Sequence, residues 1–345
     1  MFDFDRSNFI AFLNDFPSQL QKSRTSVEAF APSFRAEGIG QLVFCGMGGS
    51  AIAGDLLAGL YSDRLSLPVT VVRDYVLPAY VGAQSLVFAC SYSGNTEETL
   101  AATIAALERG ATVVGVSSGG KLADLCREKG LPHLSLPEGF PPRQALGYLF
   151  FTLLFALEKI GLVEVDDRSL EETTSLLEQL REWFSPAGSV GHNLANHLAQ
   201  SLYKGIPLIY TGAPYLHAVG VRWRNQLNEN AKSMAFSNVF PEMNHNEIMG
   251  FEGVPETISP LRVILLRDRE EHPRVQKRFQ IVKKLLREKN VPTSEVFSEG
   301  ESRLARVMSL VYIGDWVSYY VAMLYEKDPI DIKSIDYLKA ELAGE

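Results

Sequence analysis

Cysteine is scarce in this sequence, positive charge is in deficit, and no uninterrupted apolar run is long enough to read as a membrane span. The three cysteines, Cys45, Cys90 and Cys126, are odd in number and lack metal-ligand spacing. That excludes a disulfide scaffold and fits a reducing, cytoplasmic location. Lys and Arg number 33 against 41 Asp and Glu, a formal net charge of −8. This balance removes the electrostatic basis for a nucleic-acid partner or an anionic membrane surface. The longest apolar stretch, Ala145 to Leu157, has 13 residues, whereas a bilayer needs about 20. The opening Met1-Phe-Asp-Phe-Asp-Arg6 leads with acids rather than the basic segment of a secretory leader, so export is not expected. What is present is 345 residues, 46% hydrophobic and 21% charged, the profile of a water-soluble globular chain long enough for two cores.

Short apolar runs alternate with helix-compatible segments. Gln41-Leu-Val-Phe-Cys45, Val69-Thr-Val-Val72, Ser85-Leu-Val-Phe-Ala-Cys90 and Thr112-Val-Val-Gly-Val116 are continuously apolar or β-branched. Runs of this kind suit strands covered on both faces, which predicts a parallel sheet of doubly wound α/β type. Gln144 to Ile160 reads as a buried helix, and Ser169-Leu-Glu-Glu172 has a capping-box pattern that opens a connecting helix. Ser185-Pro-Ala-Gly-Ser189 is turn-rich and reads as a hinge. The expected organisation is an amphipathic helical extension over residues 1–40, a first domain over 41–162, a connector over 163–189 and a second domain over 190–345.

The second half repeats the first in outline. Pro207-Leu-Ile-Tyr-Thr211, Leu261 to Leu266 and Thr293 to Phe297 read as strands, and Val219 to Met234, Pro273 to Glu288 and Leu304 to Glu326 as helices. At a fixed offset of 166, Leu42-Val-Phe-Cys-Gly46 aligns on Leu208-Ile-Tyr-Thr-Gly212 and Gly54 on Gly220. At the same offset Gly48, Gly49 and Ser50 become Pro214, Tyr215 and Leu216. The second copy keeps the fold pattern and loses the glycines.

Two turns of the first half have the chemistry of an anion cradle. Gly46-Met-Gly-Gly-Ser50 joins a strand to a helix, where glycine permits close backbone approach and the first N–H groups of the helix face an anion. It is neither a dinucleotide fingerprint, having Ala51 where the third glycine would fall, nor a P-loop, having no Gly-Lys-Ser/Thr. Ser91-Tyr-Ser-Gly-Asn-Thr96 repeats the device on another strand with three hydroxyls, Ser91, Ser93 and Thr96. Ligands in open α/β sheets bind beyond the carboxyl ends of the strands, where both turns lie. The competing explanation is that these hydroxyls merely cap a helix.

With these residues in view, Gly46-Met-Gly-Gly-Ser-Ala-Ile-Ala-Gly54 followed by Ser91-Tyr-Ser-Gly-Asn-Thr-Glu-Glu-Thr99 resembles the sugar isomerase (SIS) domain. Pro142-Arg143-Gln-Ala-Leu-Gly147, Arg222-Trp-Arg-Asn-Gln-Leu-Asn-Glu229-Asn-Ala-Lys232 and Asn244-His245-Asn-Glu247 extend the likeness to the bifunctional phosphoglucose/phosphomannose isomerases. The resemblance runs from about Gln41 to the C-terminus. It implies two SIS-type αβα sandwich domains, each with a mainly parallel sheet flanked by helices, and a homodimer. It also implies interconversion of aldose and ketose 6-phosphates without metal or other cofactor, the sugar 6-phosphate lying between the domains.

The resemblance assigns roles to residues here. Gly49, Ser50, Ser91, Ser93 and Thr96 hold the phosphate. Glu229 is the base that carries a proton between C1 and C2, and His245, contributed across the dimer interface, opens the ring. Arg143 stabilises the enediolate, and Lys339, with Lys333 as a nearby competitor, enters the site from the closing helix. Such chemistry needs a base that serves two carbons, a group titrating near neutrality and a fixed positive charge. On periodicity alone, Glu229 shares a polar helix face with Arg222, Gln226 and Ser233, opposite a buried face of Val219, Trp223, Leu227, Ala231 and Met234. The Asn and Glu neighbours of His245 are expected to set its tautomer, and His245 with Glu247 offers a metal only two ligands. His192, His197 and His272 are expected to be structural or solvated. Asp328-Pro-Ile-Asp-Ile332 carries no hydroxyl where relatives of dual specificity often have one. A non-catalytic sugar-phosphate sensor and an amino-sugar isomerase are the competing readings. Against them stand the paired Glu229 and His245, and the absence of a glutaminase segment with its N-terminal cysteine.

Overall fold

The structure is a computed structural model that describes residues 2–32, 34–186 and 193–344. Its packing separates the chain into two compact units. The first comprises Asp15–Ser175 with Ser302–Ala305, and the second the residues up to Asn14, Leu176–Glu301 and those from Arg306 on.

The elements of the first unit are α1 (Ile10–Val27), β1 (Gln41–Cys45), α2 (Gly48–Leu60), β2 (Val69–Val72), β3 (Ser85–Cys90) and α3 (Glu97–Glu108). They continue with β4 (Thr112–Ser117), α4 (Gly120–Lys129), β5 (His133–Ser135), α5 (Leu146–Ile160) and α6 (Asp167–Phe184). The start of α1 and the end of α6 belong to the second unit. The five strands are parallel in the order β2-β1-β3-β4-β5. β3 is buried along its whole length, as a strand covered on both faces must be. Val43, Val87, Ala102, Ala106, Val113 and Leu122 form one core with Cys45 and Cys126. Each fully buried Leu, Val or Phe side chain contributes about 1.5–3 kcal/mol. The 13-residue apolar run is the interior of α5, nearly all of whose residues are buried.

The second unit continues with α7 (Leu194–Leu202), β6 (Ile206–Thr211), α8 (His217–Ala231), β7 (Phe236–Val239), α9 (Pro255–Ile258) and β8 (Leu261–Arg267). It ends with α10 (Pro273–Glu288), β9 (Thr293–Phe297), α11 (Arg303–Leu324), whose first residues belong to the first unit, and α12 (Lys333–Ala343). Its parallel sheet runs β7-β6-β8-β9. β6 therefore takes the second place that β1 takes in the first unit, in line with the repeat at the 166-residue offset. A Cβ on Gly54 would come within 2.8 Å of Phe44, and one on Gly220 within 2.9 Å of Thr211. The paired glycines thus let α2 press on β1 and α8 press on β6.

Several local expectations are corrected. The helix expected over Val219 to Met234 stops at Ala231, because Lys232 takes a left-handed φ of +53°. Met234 is then 67% exposed rather than buried, and an unforeseen strand, β7, follows. β7 and β5 are short and partly exposed, so neither shows an apolar run. The N-terminal cap of α6 is Asp166 rather than Ser169: its carboxylate accepts from the Ser169 amide at 3.2 Å and hydroxyl at 2.9 Å. Helix α11 is long and apolar enough to cross a membrane by length and composition, yet 94% of its most apolar window is buried. Arg306, Ser309, Asp315 and Ser318 interrupt it, so no long uninterrupted run announces it. Most of the expected hinge, residues 187–189, and His192 lie outside the described residues.

Candidate active site

The parallel register sets Cys45 beside Ala89, so the turns after β1 and β3 leave the same edge of the sheet. They touch through main chain, since a Cβ on Gly46 would sit 2.8 Å from the Cys90 carbonyl oxygen. Ser50, in the first turn of α2, is buried, and its hydroxyl accepts from the Tyr92 amide at 3.2 Å. Ser91 Oγ lies 2.8 Å from Thr96 Oγ1 and accepts from the Thr96 amide at 3.4 Å. Ser93 is exposed, and its hydroxyl accepts from the Asn95 amide at 3.3 Å. Gly94 takes φ +71° with its Cα pressed on the next loop: an added Cβ would be 1.8 Å from the Gly119 carbonyl oxygen.

Neither helix start is closed by its own side chain. Met47 and Thr96, the N-cap residues of α2 and α3, make no side-chain capping bond. Capping therefore does not account for the Thr96 hydroxyl, which turns to Ser91 instead. The first N–H groups of a helix have no intrahelical acceptor and carry partial positive charge. Two helix starts and a hydroxyl cluster at one sheet edge can hold an anion without lysine or arginine.

Arg143 lies on a 3-10 turn, Pro142–Gln144, and is 4% exposed. The glycine turn rests on it: a Cβ on Gly49 would meet the Pro142 carbonyl oxygen at 3.0 Å and Arg143 Cα at 3.3 Å. Gln19 braces the turn from α1, donating to the Gln144 carbonyl at 3.0 Å. Tyr92 braces the loop that leads to it, its hydroxyl donating to the Pro137 carbonyl at 2.8 Å and accepting from the Phe140 amide at 2.9 Å. Gly49, Ser50, Ser91, Ser93, Thr96 and Arg143 therefore belong to one unit.

Glu229 stands in the last turns of α8, half-buried. The expected apolar face, Val219, Trp223, Leu227 and Ala231, is buried, but Arg222, Gln226 and Ser233 of the polar face are buried as well. Arg222 donates to Asp315 at 2.7 Å, Gln226 to the same carboxylate at 2.9 Å, and Asn230 to Ser318 Oγ at 2.9 Å, all on α11. Burial pushes the Asp315 carboxyl pKa up, and the charge of Arg222 opposes it.

His245 ends the 3-10 turn Glu242–His245 and is exposed. Its neighbours do not act as expected on the tautomer, since their bonds go elsewhere. Asn244 accepts from Arg278 at 3.5 Å, Asn246 donates to Glu242 at 2.9 Å, and Glu247 accepts from the Tyr210 hydroxyl at 2.5 Å and from the Asn238 amide. Glu247 thereby ties the loop bearing His245 to β6 and β7. Lys339 lies exposed on α12, and Lys333 pairs with Asp331 at 3.0 Å. Glu229, His245 and Lys339 all belong to the second unit. Among the described residues, no group of three His, Cys, Asp or Glu gathers as a metal site would.

The second copy shows what became of its own turn. Tyr215, at the offset position of Gly49, donates its hydroxyl at 2.5 Å to Asp268, the first residue after β8. Ser298 Oγ at 2.6 Å, Arg306 Nε at 2.9 Å and the Glu270 amide at 2.8 Å complete the shell around that carboxylate. Burial pushes the Asp268 pKa up, but the bonds from Ser298, Tyr215 and the Glu270 amide and the Arg306 charge outweigh it and hold it below the ordinary value. The second copy thus has an internal carboxylate bonded to the tyrosine at the offset position of Gly49. The sequence signalled the loss of glycine, whereas the Tyr215–Asp268 pair, 53 residues apart, had no local pattern to reveal it.

Comparison with known proteins follows the same lines. A family described as the bacterial phospho-glucose isomerase C-terminal SIS domain matches residues 191–342. The chain is 42% identical to a bifunctional phosphoglucose/phosphomannose isomerase of Caldicellulosiruptor bescii, covering 95% of this chain and 96% of that one. It is 38% identical to the protein of that name from Aquifex aeolicus, over 92% and 97% of the two chains. Among solved structures, a glucose-6-phosphate isomerase like protein from Thermus thermophilus superimposes with a TM-score of 0.63 at 23% identity, covering 96% and 95%. The C-terminal domain of glucosamine-fructose-6-phosphate aminotransferase from Francisella tularensis gives 0.71 at 15% identity, covering 93% and 97%. These two show the shared fold.

Proposed function

The chain belongs to the bifunctional phosphoglucose/phosphomannose isomerase family, and we propose that it interconverts glucose 6-phosphate and mannose 6-phosphate with fructose 6-phosphate through a cis-enediol. The 6-phosphate is held by Ser50, Ser91, Ser93, Thr96 and the main-chain amides around Gly49. His245 moves a proton to or from the ring oxygen and opens the sugar. Glu229 takes the proton from C2 of the aldose and returns it to C1 of the enediol, which is one base serving two adjacent carbons. Arg143 offsets the negative charge that develops on the enediolate oxygen, and its guanidinium stays charged throughout. Lys339 enters from the closing helix. The scheme uses no metal, and the active species is a cytoplasmic homodimer in which His245 serves the neighbouring subunit.

The observation that supports this reading most directly is the uncapped pair of helix starts beside the Ser50, Ser91 and Thr96 hydroxyls, with Gly49 seated on the backbone of Arg143. Such a set binds a phosphate by neutral donors and keeps the one buried cation of the turn for the reacting carbons. Glu229→Gln tests it. Exchange of the C2 proton with solvent should fall by about 10²–10⁴, the usual worth of a positioned base. Sugar-phosphate affinity should stay within a few-fold. Turnover of fructose 6-phosphate to both aldoses, followed in coupled assays after EDTA treatment, should persist in the wild type. No product of either kind would favour a sensor.

A further inference from the structure

One row of polar residues on α8 is turned away from solvent. Arg222, Gln226 and Asn230 fall at intervals of four residues, and all three are at most 2% exposed. Their partners, Asp315 and Ser318, stand one turn apart on α11 and are at most 1% exposed. Two further contacts align the same helices. The Trp223 indole donates to the Leu310 carbonyl at 2.8 Å, and a Cβ on Gly314 would come within 2.4 Å of Trp223 Nε1. The polar bonds span successive turns of both helices, from Arg222 and Gln226 with Asp315 to Asn230 with Ser318.

Apolar packing alone would fix this arrangement poorly. Helix α11 is apolar on nearly every side, and apolar contact is non-directional, so a slide or roll of α8 against it exchanges one set of contacts for a similar one. Buried polar groups behave otherwise, since each displaced donor or acceptor is left without a partner in a region that excludes water. A slide of a single residue is about 1.5 Å along the axis. It would break the Asp315 and Ser318 bonds together.

From this geometry we propose that Asp315 is a positioning residue for the isomerase reaction, locking through Arg222 and Gln226 the axial and rotational setting of the helix that carries Glu229. The proposal rests on the role given to Glu229 above. Asp315 itself is enclosed and touches no substrate. A base that must reach two neighbouring carbons tolerates little error, and a misplacement of about 1 Å can cost about 10²-fold in rate. Phosphate binding is assigned to residues of the other unit, so the effect falls on kcat and spares KM.

The experiment compares four proteins: wild type, Asp315→Asn, the double variant Asp315→Leu/Arg222→Met, and Glu229→Gln. Each is assayed for kcat and KM with fructose 6-phosphate and for Tm. Removing both members of a buried ion pair in favour of apolar residues of similar volume is often neutral for stability. The double variant, which also leaves the Gln226 amide without its acceptor, is therefore expected to melt a few degrees below wild type while its kcat falls by about 10²-fold and its KM stays within a few-fold. Asp315→Asn is expected to lose kcat in the same sense and to melt lower. A double variant with wild-type kcat overturns the proposal, as does one whose KM rises in step with its loss of kcat. Glu229→Gln separates this from the reading beneath it: full activity there removes Glu229 from the chemistry, whereas inactivity there with a fully active double variant removes Asp315 alone.

Discussion

Gly94 offers a test in which two physical causes can be separated by a control within the same unit. The residue has φ +71°, and a Cβ placed on it would lie 1.8 Å from the Gly119 carbonyl oxygen and 2.8 Å from the Gly119 carbonyl carbon. Gly130, which ends α4, has nearly the same φ, +65°, but a Cβ there would meet nothing within 4 Å. Gly130→Ala should therefore show the left-handed backbone cost alone, about 1–2 kcal/mol. Gly94→Ala adds displacement of a main-chain wall, an overpacking cost of about 1–3 kcal/mol, so the total is about 2–5 kcal/mol. The wall cannot give locally, because Gly120 stands opposite: a Cβ on that residue would be 2.4 Å from the Ser93 carbonyl oxygen. The strain must pass into the Ser91–Thr96 turn. Urea unfolding of both variants reads the stability difference, and KM for fructose 6-phosphate reads the cradle. KM should rise about tenfold, equivalent to about 1.4 kcal/mol of lost anchoring, for Gly94→Ala and stay unchanged for Gly130→Ala. Equal destabilisation of the two, or an unchanged KM in Gly94→Ala, would refute the account of the turn as a wedged phosphate loop.

Two further outcomes follow from the second unit. Asp268 has a depressed pKa, so it contributes stability above the ordinary carboxylate range near pH 4 and loses it as the pH falls through the lower folded value. Asp268→Asn should lose about 3–5 kcal/mol at pH 7, as expected for a broken buried pair, and less at pH 3, below the ordinary carboxylate value. Urea midpoints at the two pH values check this, and an equal loss at both would contradict it. Tyr210 is fully buried and donates to Glu247. Tyr210→Phe should cost about 1.5–3 kcal/mol, the worth of a hydrogen bond to a charged group, and lower kcat by loosening the loop that bears His245. Thermal melts and steady-state kinetics measure both effects, and a wild-type kcat would remove Glu247 as the anchor of that loop.

The parts of the fold that were legible in the sequence are those whose pattern is local. β1, β3 and β6 announce themselves because burial on both faces selects mostly apolar residues, and the glycine turn stands out because glycine is uncommon inside strands and helices. The offset of 166 residues exposed the duplication for the same reason: Gly54 and Gly220 answer to one packing demand. What escaped was relational. Nothing in the local spacing distinguishes a polar helix face turned to water from one turned to a buried partner, so Arg222 and Gln226 read as a polar helix face until Asp315 is placed beside them. The strand β7 was hidden because an edge strand with half-exposed residues needs no apolar run. The partners of the residues around His245 were misjudged because sequence neighbours on a 3-10 turn point in different directions, with Glu247 going to Tyr210 on a strand 37 residues away.

The carboxylate that Tyr215, Ser298 and Arg306 enclose in the second copy has a consequence for how a duplicated protein divides its labour. A tethered acid at that turn is present in every molecule, at an effective concentration set by the chain and not by any free ligand. The Tyr215 hydroxyl is spent on that acid, so the second turn directs its polar contacts inward. Where the first copy has glycine and serine between strand and helix, the second has a clasp that fastens its turn to the first residue after β8.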